Sequence, residues 1–308
     1  MQKLNILFIA LNRRNYIGTS RSHSYYFSQE LGKIVNLTVW HDPGDIHDIL
    51  ARISHKPDFI LLADMKESPA ITGLSALRIP FGVVMHDLHY RKDDRKRFLT
   101  DNGVRHIFSI YRDRFYDWYP EFADRMRWLP HYVNPHIYKD YGLQKDIEML
   151  LIGTVHPNYY PLRTAILKRM KREPGFVFHR HPGYWRQTRM MGETYAREIN
   201  RSKIFLTCNS AFGYTVAKYF EVLACRSLLL APSSNEILDL GFVPGVHFVE
   251  IDEHNFYEKA RYYLAHDKER KRITDQGYAM IHRNYPMSRR AAVLTDMIRE
   301  ILKKGNGS

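Results

Sequence analysis

Short apolar runs alternate with stretches of helical periodicity along this chain, and the alternation occurs twice. In the first half, the apolar runs predict strands at residues 4–10, 35–40, 59–63, 81–85 and 106–110. The periodic stretches predict helices at residues 22–31, 45–54, 69–77, 92–101 and 113–119. Strands that alternate with crossover helices are typical of a parallel sheet.

The second half repeats this pattern after residues 129–142, which are rich in Pro, Asn, Tyr and Gly and predict an interdomain linker. Strands are predicted at residues 147–152, 176–178, 203–207, 227–230 and 247–249. Helices are predicted at residues 161–171, 193–200, 215–225, 235–239, 256–265, 268–283 and 289–303. We therefore expect an α/β fold of two doubly wound domains, residues 1–135 and 136–286, which face a central cleft where ligands bind at the carboxyl ends of the strands.

The composition agrees with two globular domains, because the 308 residues are 44% hydrophobic. Cys208 and Cys225 lie in apolar surroundings without metal-ligand spacing, so no disulfide framework is predicted and a reducing, cytoplasmic setting is expected. No apolar run reaches the roughly 18–20 residues that a membrane-spanning helix needs.

The formal net charge of +13 predicts an acidic partner. Nucleic acid, an anionic membrane surface contacted peripherally, and a phosphorylated or sugar-acid substrate all fit this description. The basic residues occur in short groups such as Arg289-Arg290 rather than in one tail, so they also fit ordinary solvated faces.

The segment 213–232, GYTVAKYFEVLACRSLLLAP, predicts a helix after a Gly-Tyr-Thr turn and then a buried strand. Lys218 and Glu221 are three residues apart and share one face of that helix. The helix N-terminus and Lys218 can meet a diphosphate, and Glu221 can accept hydrogen bonds from ribose hydroxyls. Tyr214 and Thr215 in the turn are further candidate donor contacts. The alternative is an exposed ion pair without a ligand.

A second cluster of polar residues follows the predicted strand 81–85. His86, Asp87, His89 and Arg91 stand together there, and His86 or Asp87 could accept a proton from a substrate hydroxyl. His89 and Arg91 are expected to contact the acceptor. A metal site and a purely structural polar loop are the alternatives, although the His-Asp-x-His run lacks the helical spacing of a zinc motif.

Two loops of the second half could contact a nucleotide. The Gly153-Thr154 turn and His156 precede a helix that starts near Pro161, where a phosphate can approach the backbone closely. Arg180 and His181 follow the strand near residue 178 and could face a phosphate or a base. An ordinary basic loop is the alternative for the second group.

The loop after the first strand contains Arg13, Arg14 and Tyr16, which could contact an acceptor or form only a surface loop. No Asp-x-Asp pair follows a strand, which argues against a divalent metal on a donor diphosphate. Helix dipoles, Lys218 and arginines are then expected to neutralise the phosphate charge.

Residues 213–232 resemble the donor-site segment of GT-B glycosyltransferases, and of their CgeB-like group in particular, in which a basic residue precedes Glu-x-x-Ala-Cys-Gly and an apolar strand. Residues 146–163, DIEMLLIGTVHPNYYPLR, resemble the opening strand and loop of the same domain. The resemblance covers roughly residues 146–297. In the first half it rests on residues 85–89, MHDLH, and residues 128–130, Trp-Leu-Pro.

This resemblance implies a GT-B fold of two Rossmann-like domains, in which residues 287–308 cross back to the first domain. It implies a glycosyltransferase of hexosyltransferase type, with a UDP-sugar or another nucleotide-sugar as co-substrate and no other cofactor. The missing Asp-x-Asp pair predicts that this enzyme is metal-independent. The expected acceptor is a glycan, a protein or another acidic molecule.

The resemblance also assigns roles to particular residues. Glu221 matches the carboxylate that binds ribose, Lys218 the basic residue near the donor, and Gly153-Thr154 the loop near the diphosphate. His86 and Asp87 would face the acceptor or the transferred sugar.

Two positions depart from the family pattern. Arg226 stands where the family usually has glycine, so the turn into the strand is expected to differ locally. Gly213 stands where retaining members have a second glutamate, so the usual contact to the sugar hydroxyls is either absent or made by another residue, with Tyr214 and Asn209 as the candidates. Both stereochemical outcomes therefore stay open. A nucleic-acid-directed transferase, a basic nucleic-acid-binding module and a catalytically lapsed GT-B scaffold are the functional alternatives.

Overall fold

The computed structural model describes residues 3–14, 23–180 and 190–305. Their contacts divide into two compact units. Unit 1 contains the described residues up to 130 together with residues 287–305, and unit 2 contains those from 131 to 286. The division after Pro130 falls shortly before the boundary at residue 135 that the sequence predicts.

Unit 1 is built on a parallel sheet of six strands in the order β2-β1-β4-β6-β7-β8. The strands are β1 Asn5–Ile9, β2 Asn36–Trp40, β4 Phe59–Leu62, β6 Phe81–Met85, β7 His106–Ser109 and β8 Met126–Trp128. The helices are α1 His23–Gly32, α2 Ile46–Arg52, α3 Lys92–Asp101, α4 Asp113–Trp118 and α11 Met287–Gly305. The C-terminal helix α11 packs against α1 of this unit.

The predicted helix at residues 69–77 is wrong. This segment contains the short strand β5 (Ile71–Thr72), which pairs with β3 (Gly44–Asp45), and a 3₁₀ turn at Leu74–Ala76. Gly73 between them has a left-handed backbone with φ +77°, and a single left-handed residue interrupts a helix. Strand β8 was missed because its three residues are only half-buried and give no apolar run.

Unit 2 has a parallel sheet of five strands in the order β10-β9-β11-β12-β13. The strands are β9 Ile147–Gly153, β10 Phe176–Arg180, β11 Ser202–Leu206, β12 Leu228–Ala231 and β13 Val249–Glu250. The helices are α5 Pro161–Met170, α6 Gly192–Arg201, α7 Lys218–Ala224, α8 Asn235–Asp239, α9 Phe256–Ala265 and α10 Asp267–Asn284. Separate apolar clusters cover the two faces of the sheet. The predicted α/β class with parallel sheets is confirmed.

The predicted linker at residues 129–142 is largely a packed part of unit 2. Val133 is fully buried, and its N–H donates to the carbonyl of Tyr285 at 3.0 Å. Tyr138 is also buried in the core cluster of this unit. The density of Pro, Asn and Tyr indicated irregular backbone correctly, but irregular backbone here is not a solvated spacer. Among the described helices, none is long and apolar enough to cross a bilayer.

Helix α7 ends in a turn that explains the arginine at position 226. The N–H of Arg226 donates to the carbonyl of Leu223, and the N–H of Ser227 to that of Val222, which is the hydrogen-bond pattern of a Schellman cap. Such a cap needs a left-handed residue, and Arg226 has φ +55°. Its guanidinium is 2.9 Å from the carboxylates of both Asp140 and Asp275. These contacts offset the backbone strain that a glycine would not have.

Substitutions at Arg226 are expected to separate the effect of the backbone strain on stability from the effect of the two ion pairs. Arg226→Ala keeps the left-handed strain of roughly 1–2 kcal/mol and loses both ion pairs, so it should unfold earlier than the wild type. Arg226→Gly loses the same ion pairs but relieves the strain, so it should be about 1 kcal/mol more stable than the alanine variant. Urea unfolding of the three proteins provides the comparison. Equal stability of the alanine and glycine variants would contradict the strain argument.

Candidate functional site

The carboxyl ends of the strands in unit 2 bring together several residues that the sequence singles out. Arg180 at the end of β10 pairs in register with Gly153 at the end of β9. The chain leaves β11 at Thr207 and β12 at Pro232. Because β11 and β12 are parallel, the loops that follow them lie at this same edge of the sheet. His181 lies outside the described residues.

Arg163 on α5 connects these loops and was not predicted as a site residue from the sequence. The side chain is buried, and its guanidinium donates to the Thr207 hydroxyl at 3.2 Å and to the Cys208 carbonyl at 3.3 Å. It also stacks on the ring of Tyr160 at 4.1 Å. Arg163 could have been selected from the sequence, because it lies in the first turn of a helix that follows a strand end.

Gly153 lies between two cationic side chains. Its φ of +152° is one that other residues rarely adopt, and a Cβ there would lie 3.0 Å from Arg163 Nη1 and 3.4 Å from Lys218 Cε. A side chain at position 153 would therefore fill the space beside both cations. A buried arginine and a half-buried lysine beside Gly153, which is followed by the exposed Thr154, favour an anionic ligand.

Lys218 and Glu221 are connected through a third side chain. Lys218 Nζ donates to the hydroxyl of Tyr195 at 3.1 Å, and this hydroxyl donates to Glu221 Oε2 at 3.1 Å. Burial lowers the pKa of Lys218 to about 8, although the charge of Glu221 acts in the opposite direction. Burial also raises the pKa of Tyr195 well above its usual value. Tyr195, on α6, is a second site residue that sequence reasoning missed, because only the fold brings α6 beside α7.

Helix α7 begins at Lys218, three residues later than predicted, so Tyr214 and Thr215 belong to the preceding loop. Tyr214 is buried and its ring lies 5.6 Å from that of Phe212. The Thr215 hydroxyl is 3.1 Å from that of Ser234, which caps α8.

The other predicted donor residues differ in exposure. Thr154, His156 and Arg180 are exposed, whereas Asn209 is half-buried. His156 accepts a hydrogen bond from the N–H of Asn158, and its ring lies 4.8 Å from that of Tyr159.

In unit 1, His86 and Asp87 follow β6 as predicted and contact each other. His86 Nδ1 is 3.2 Å from Asp87 Oδ1, and Lys66 Nζ is 2.8 Å from Asp87 Oδ2. Asp87 has a left-handed backbone with φ +43°, which turns the chain directly after the strand. Both oxygens of Asp87 are therefore held by basic groups.

These contacts move the two pKa values in opposite directions. Burial would raise the pKa of Asp87, but hydrogen bonds and charges from His86 and Lys66 hold it well below its usual range. Burial would lower the pKa of His86, but Asp87 and the charge of Asp64 raise it above 6.5. A carboxylate whose pKa is held that low is a poor proton acceptor, and a raised pKa makes the neutral His86 imidazole the stronger base of the two.

A buried ion pair beneath this loop was not predicted. Arg95 Nη1 and Nη2 donate to the two oxygens of Asp64 at 2.9 and 3.0 Å. Asp64 also accepts from the backbone N–H of His86 at 2.8 Å, and Arg95 donates to the carbonyl of His86 at 2.8 Å. The pair therefore holds both backbone polar groups of His86. Asp64 follows a buried strand, which is the sequence signal that could have found it.

The residues of unit 1 that the sequence predicts to contact the acceptor differ in their exposure and in their partners. His89 and Arg91 are exposed, and Arg91 Nε donates to Asp94 at 2.6 Å. Arg13 forms a bidentate pair with Glu67 at 2.8 and 3.1 Å. Arg14 is exposed, and Tyr16 lies outside the described residues.

Metal-ligating side chains are dispersed in the part of the chain that the structure describes. Within residues 3–14, 23–180 and 190–305, no group of three or more His, Cys, Asp or Glu side chains could hold a metal ion.

Comparison with protein families and solved structures points to one class of proteins. Residues 163–296 match the family model described as glycosyl transferase-like. This segment contains Arg163, Tyr195, Lys218 and Glu221. No protein with a curated description matches the chain significantly.

Several solved structures share the fold over nearly the whole chain. Anabaena HepE in complex with UDP and glucose superposes with a TM-score of 0.60 at 10% identity and covers 96% of this chain and 100% of its own. Sucrose-phosphate synthase from Thermosynechococcus elongatus gives 0.65 at 7% identity, covering 98% and 100%. A glycosyltransferase from Rickettsia africae gives 0.63 at 11% identity, with the same coverage. The chain thus has the GT-B fold.

Proposed function

We propose that this protein is a metal-independent glycosyltransferase that transfers a hexosyl group from a nucleotide-sugar to an acceptor hydroxyl. The observation that carries this proposal is the arrangement of Arg163, Gly153, Lys218, Tyr195 and Glu221 at the carboxyl edge of the unit 2 sheet. The glycosyl transferase-like family match over residues 163–296 supports it. The resemblance of residues 213–232 supports a place in the CgeB-like group.

The donor diphosphate is bound by the two cations that flank Gly153. Lys218 and Arg163 neutralise the negative charge that grows on the diphosphate as the bond to the sugar breaks, which is the role that a divalent metal has in other enzymes. Thr154, an exposed residue, lies beside Arg163, whose Nη1 donates to the Thr154 carbonyl at 3.5 Å. Glu221 accepts hydrogen bonds from the ribose, with Tyr195 orienting its Oε2 oxygen. The UDP in the HepE structure supports UDP as the nucleotide.

His86 of unit 1 is the proton acceptor in this proposal. Its Nδ1 is oriented by Asp87, so Nε2 takes the proton of the acceptor hydroxyl as the oxygen bonds to the anomeric carbon. The bond between that carbon and the diphosphate oxygen breaks, and the nucleoside diphosphate leaves. The net charge of +13 supports an acidic acceptor, such as an acidic glycan or protein.

Titration calorimetry with UDP tests the donor site. The wild type is expected to bind UDP, and Glu221→Ala is expected to weaken binding by about tenfold or more, since it removes charge-assisted hydrogen bonds to the ribose. Glu253→Ala, at an exposed glutamate of the same unit, is the matched control and should bind UDP like the wild type. Full affinity of the Glu221 variant would refute the donor-site assignment.

The same titration over a range of pH tests the role of Lys218. Lys218 attracts the diphosphate only when it is protonated, and its pKa in the free protein is about 8. UDP affinity should therefore be highest below pH 8 and fall as the pH rises through that value. Lys218→Met should bind UDP weakly and lose this dependence. A wild-type affinity that stays constant from pH 7 to 9 would count against the assignment.

A further inference from the structure

Neutral polar side chains with unused hydrogen-bonding atoms follow strands β11 and β12 of unit 2. Asn209 Oδ1 and the hydroxyl oxygens of Ser210 and Ser233 are among the buried side-chain atoms of the described residues that have no hydrogen-bond partner. Ser210 as a whole is only 7% exposed. A buried polar group without a partner costs about 1–3 kcal/mol. Three such groups on two adjacent loops indicate that a ligand supplies the missing partners.

Two contacts locate this group beside the candidate diphosphate site. Arg163 donates to the carbonyl of Cys208, so Asn209 is one residue from a position that this arginine holds. The 3.1 Å contact between the hydroxyls of Thr215 and Ser234 joins the loop after β11 to the loop after β12. Asn209, Ser210 and Ser233 therefore extend the row of candidate ligand contacts along the carboxyl edge of the sheet, from β9 and β11 towards β12.

We infer that Asn209, Ser210 and Ser233 bind the hydroxyl groups of a neutral donor sugar, and that the site discriminates against sugars that carry a carboxylate. This inference rests on the proposed function. Hydroxyl and amide groups match sugar hydroxyls because both sides can donate and accept hydrogen bonds. None of the three residues is charged.

The discrimination follows from the distribution of charge at this edge. In the proposed complex, the cations Arg163 and Lys218 serve the diphosphate. A carboxylate on the sugar would lose water beside Ser210 and Ser233 without gaining a cation, and an ion buried without a counter-charge is destabilised more than a neutral group. A neutral hexose of the same configuration meets only hydroxyl and amide partners.

Matched pairs of sugar nucleotides test this specificity by calorimetry. The probes are UDP, UDP-glucose with UDP-glucuronate, and UDP-galactose with UDP-galacturonate. At least one neutral sugar nucleotide is expected to bind about tenfold more tightly than UDP, and its carboxylate counterpart no more tightly than UDP. A carboxylate sugar that binds more tightly than its neutral counterpart would overturn the inference.

Two serine variants connect the specificity to these residues. Ser210→Ala and Ser233→Ala are each expected to weaken binding of the preferred neutral sugar nucleotide by about 2–10-fold and to leave UDP binding unchanged. Ser227→Ala is the control, because this buried hydroxyl already donates to the carbonyl of Ser202 at 2.8 Å. If the wild type does not bind UDP, the proposed function fails. If UDP binds normally and both serine variants keep full affinity for the sugar nucleotide, only the present inference is wrong.

Discussion

Replacement of His86 by alanine is expected to reduce the turnover of the donor sugar by about 10²–10⁴-fold, the usual contribution of a general base. UDP affinity should stay at the wild-type level, because the proposed donor contacts belong to unit 2. The loop itself should survive, since Asp64 and Arg95 hold the backbone N–H and C=O of His86 rather than its ring. The rate of UDP release from the donor is the measurement.

The pH profile distinguishes a base from a structural histidine. His86 accepts a proton only when it is neutral, and its pKa is raised above 6.5, so wild-type turnover should rise with pH through a midpoint above that value. This rising limb should be absent in His86→Ala. The matched control is His55→Gln at an exposed position of the same unit, which should keep both the rate and the profile. Normal turnover by His86→Ala would exclude the assigned role.

Replacement of Arg95 by methionine is expected to destabilise unit 1 by about 3–5 kcal/mol, because it leaves the Asp64 carboxylate buried without its counter-charge. Arg95 and Asp64 are only 3% and 6% exposed at their side chains. The carbonyl of His86 loses its donor at the same time, so turnover should fall even where the variant remains folded. Urea unfolding and donor turnover measure the two effects.

Arg97→Met is the control for this result. Arg97 lies on the same helix and pairs with Asp94, but its side chain is 72% exposed. Its substitution should change the unfolding free energy by roughly 0–1 kcal/mol, as is usual for exposed ion pairs. If the two variants are equally stable, the buried pair has no special role in holding the loop.

The sequence alone determined the fold class and the position of much of the candidate site. Buried parallel strands are short apolar runs, so β1, β4, β6, β9 and β12 are visible in the pattern. Because ligands bind at the carboxyl ends of such strands, residues like His86, Gly153 and Lys218 could be selected from chain position and chemistry.

The sequence was less informative where neighbouring residues do not determine the conformation. The segment at residues 69–77 has a helical pattern, but the left-handed Gly73 and the pairing of β5 with β3 decide its structure. Arg226 has a left-handed backbone, and its guanidinium contacts the carboxylates of Asp140 and Asp275, which are distant in the chain.

Only the tertiary structure identified the residues that support the site. The partners of Arg163, Tyr195, Asp64 and Arg95 include residues 26 to 45 positions away in the chain. A position after a strand could mark Arg163 or Asp64 as a candidate, but no local pattern indicates what these side chains contact. Periodicity records which side chains avoid water, and it therefore locates strands and helices. Hydrogen bonds and ion pairs between separate elements depend on how those elements pack, and in this protein they decide which polar residues hold His86 and Glu221 in place.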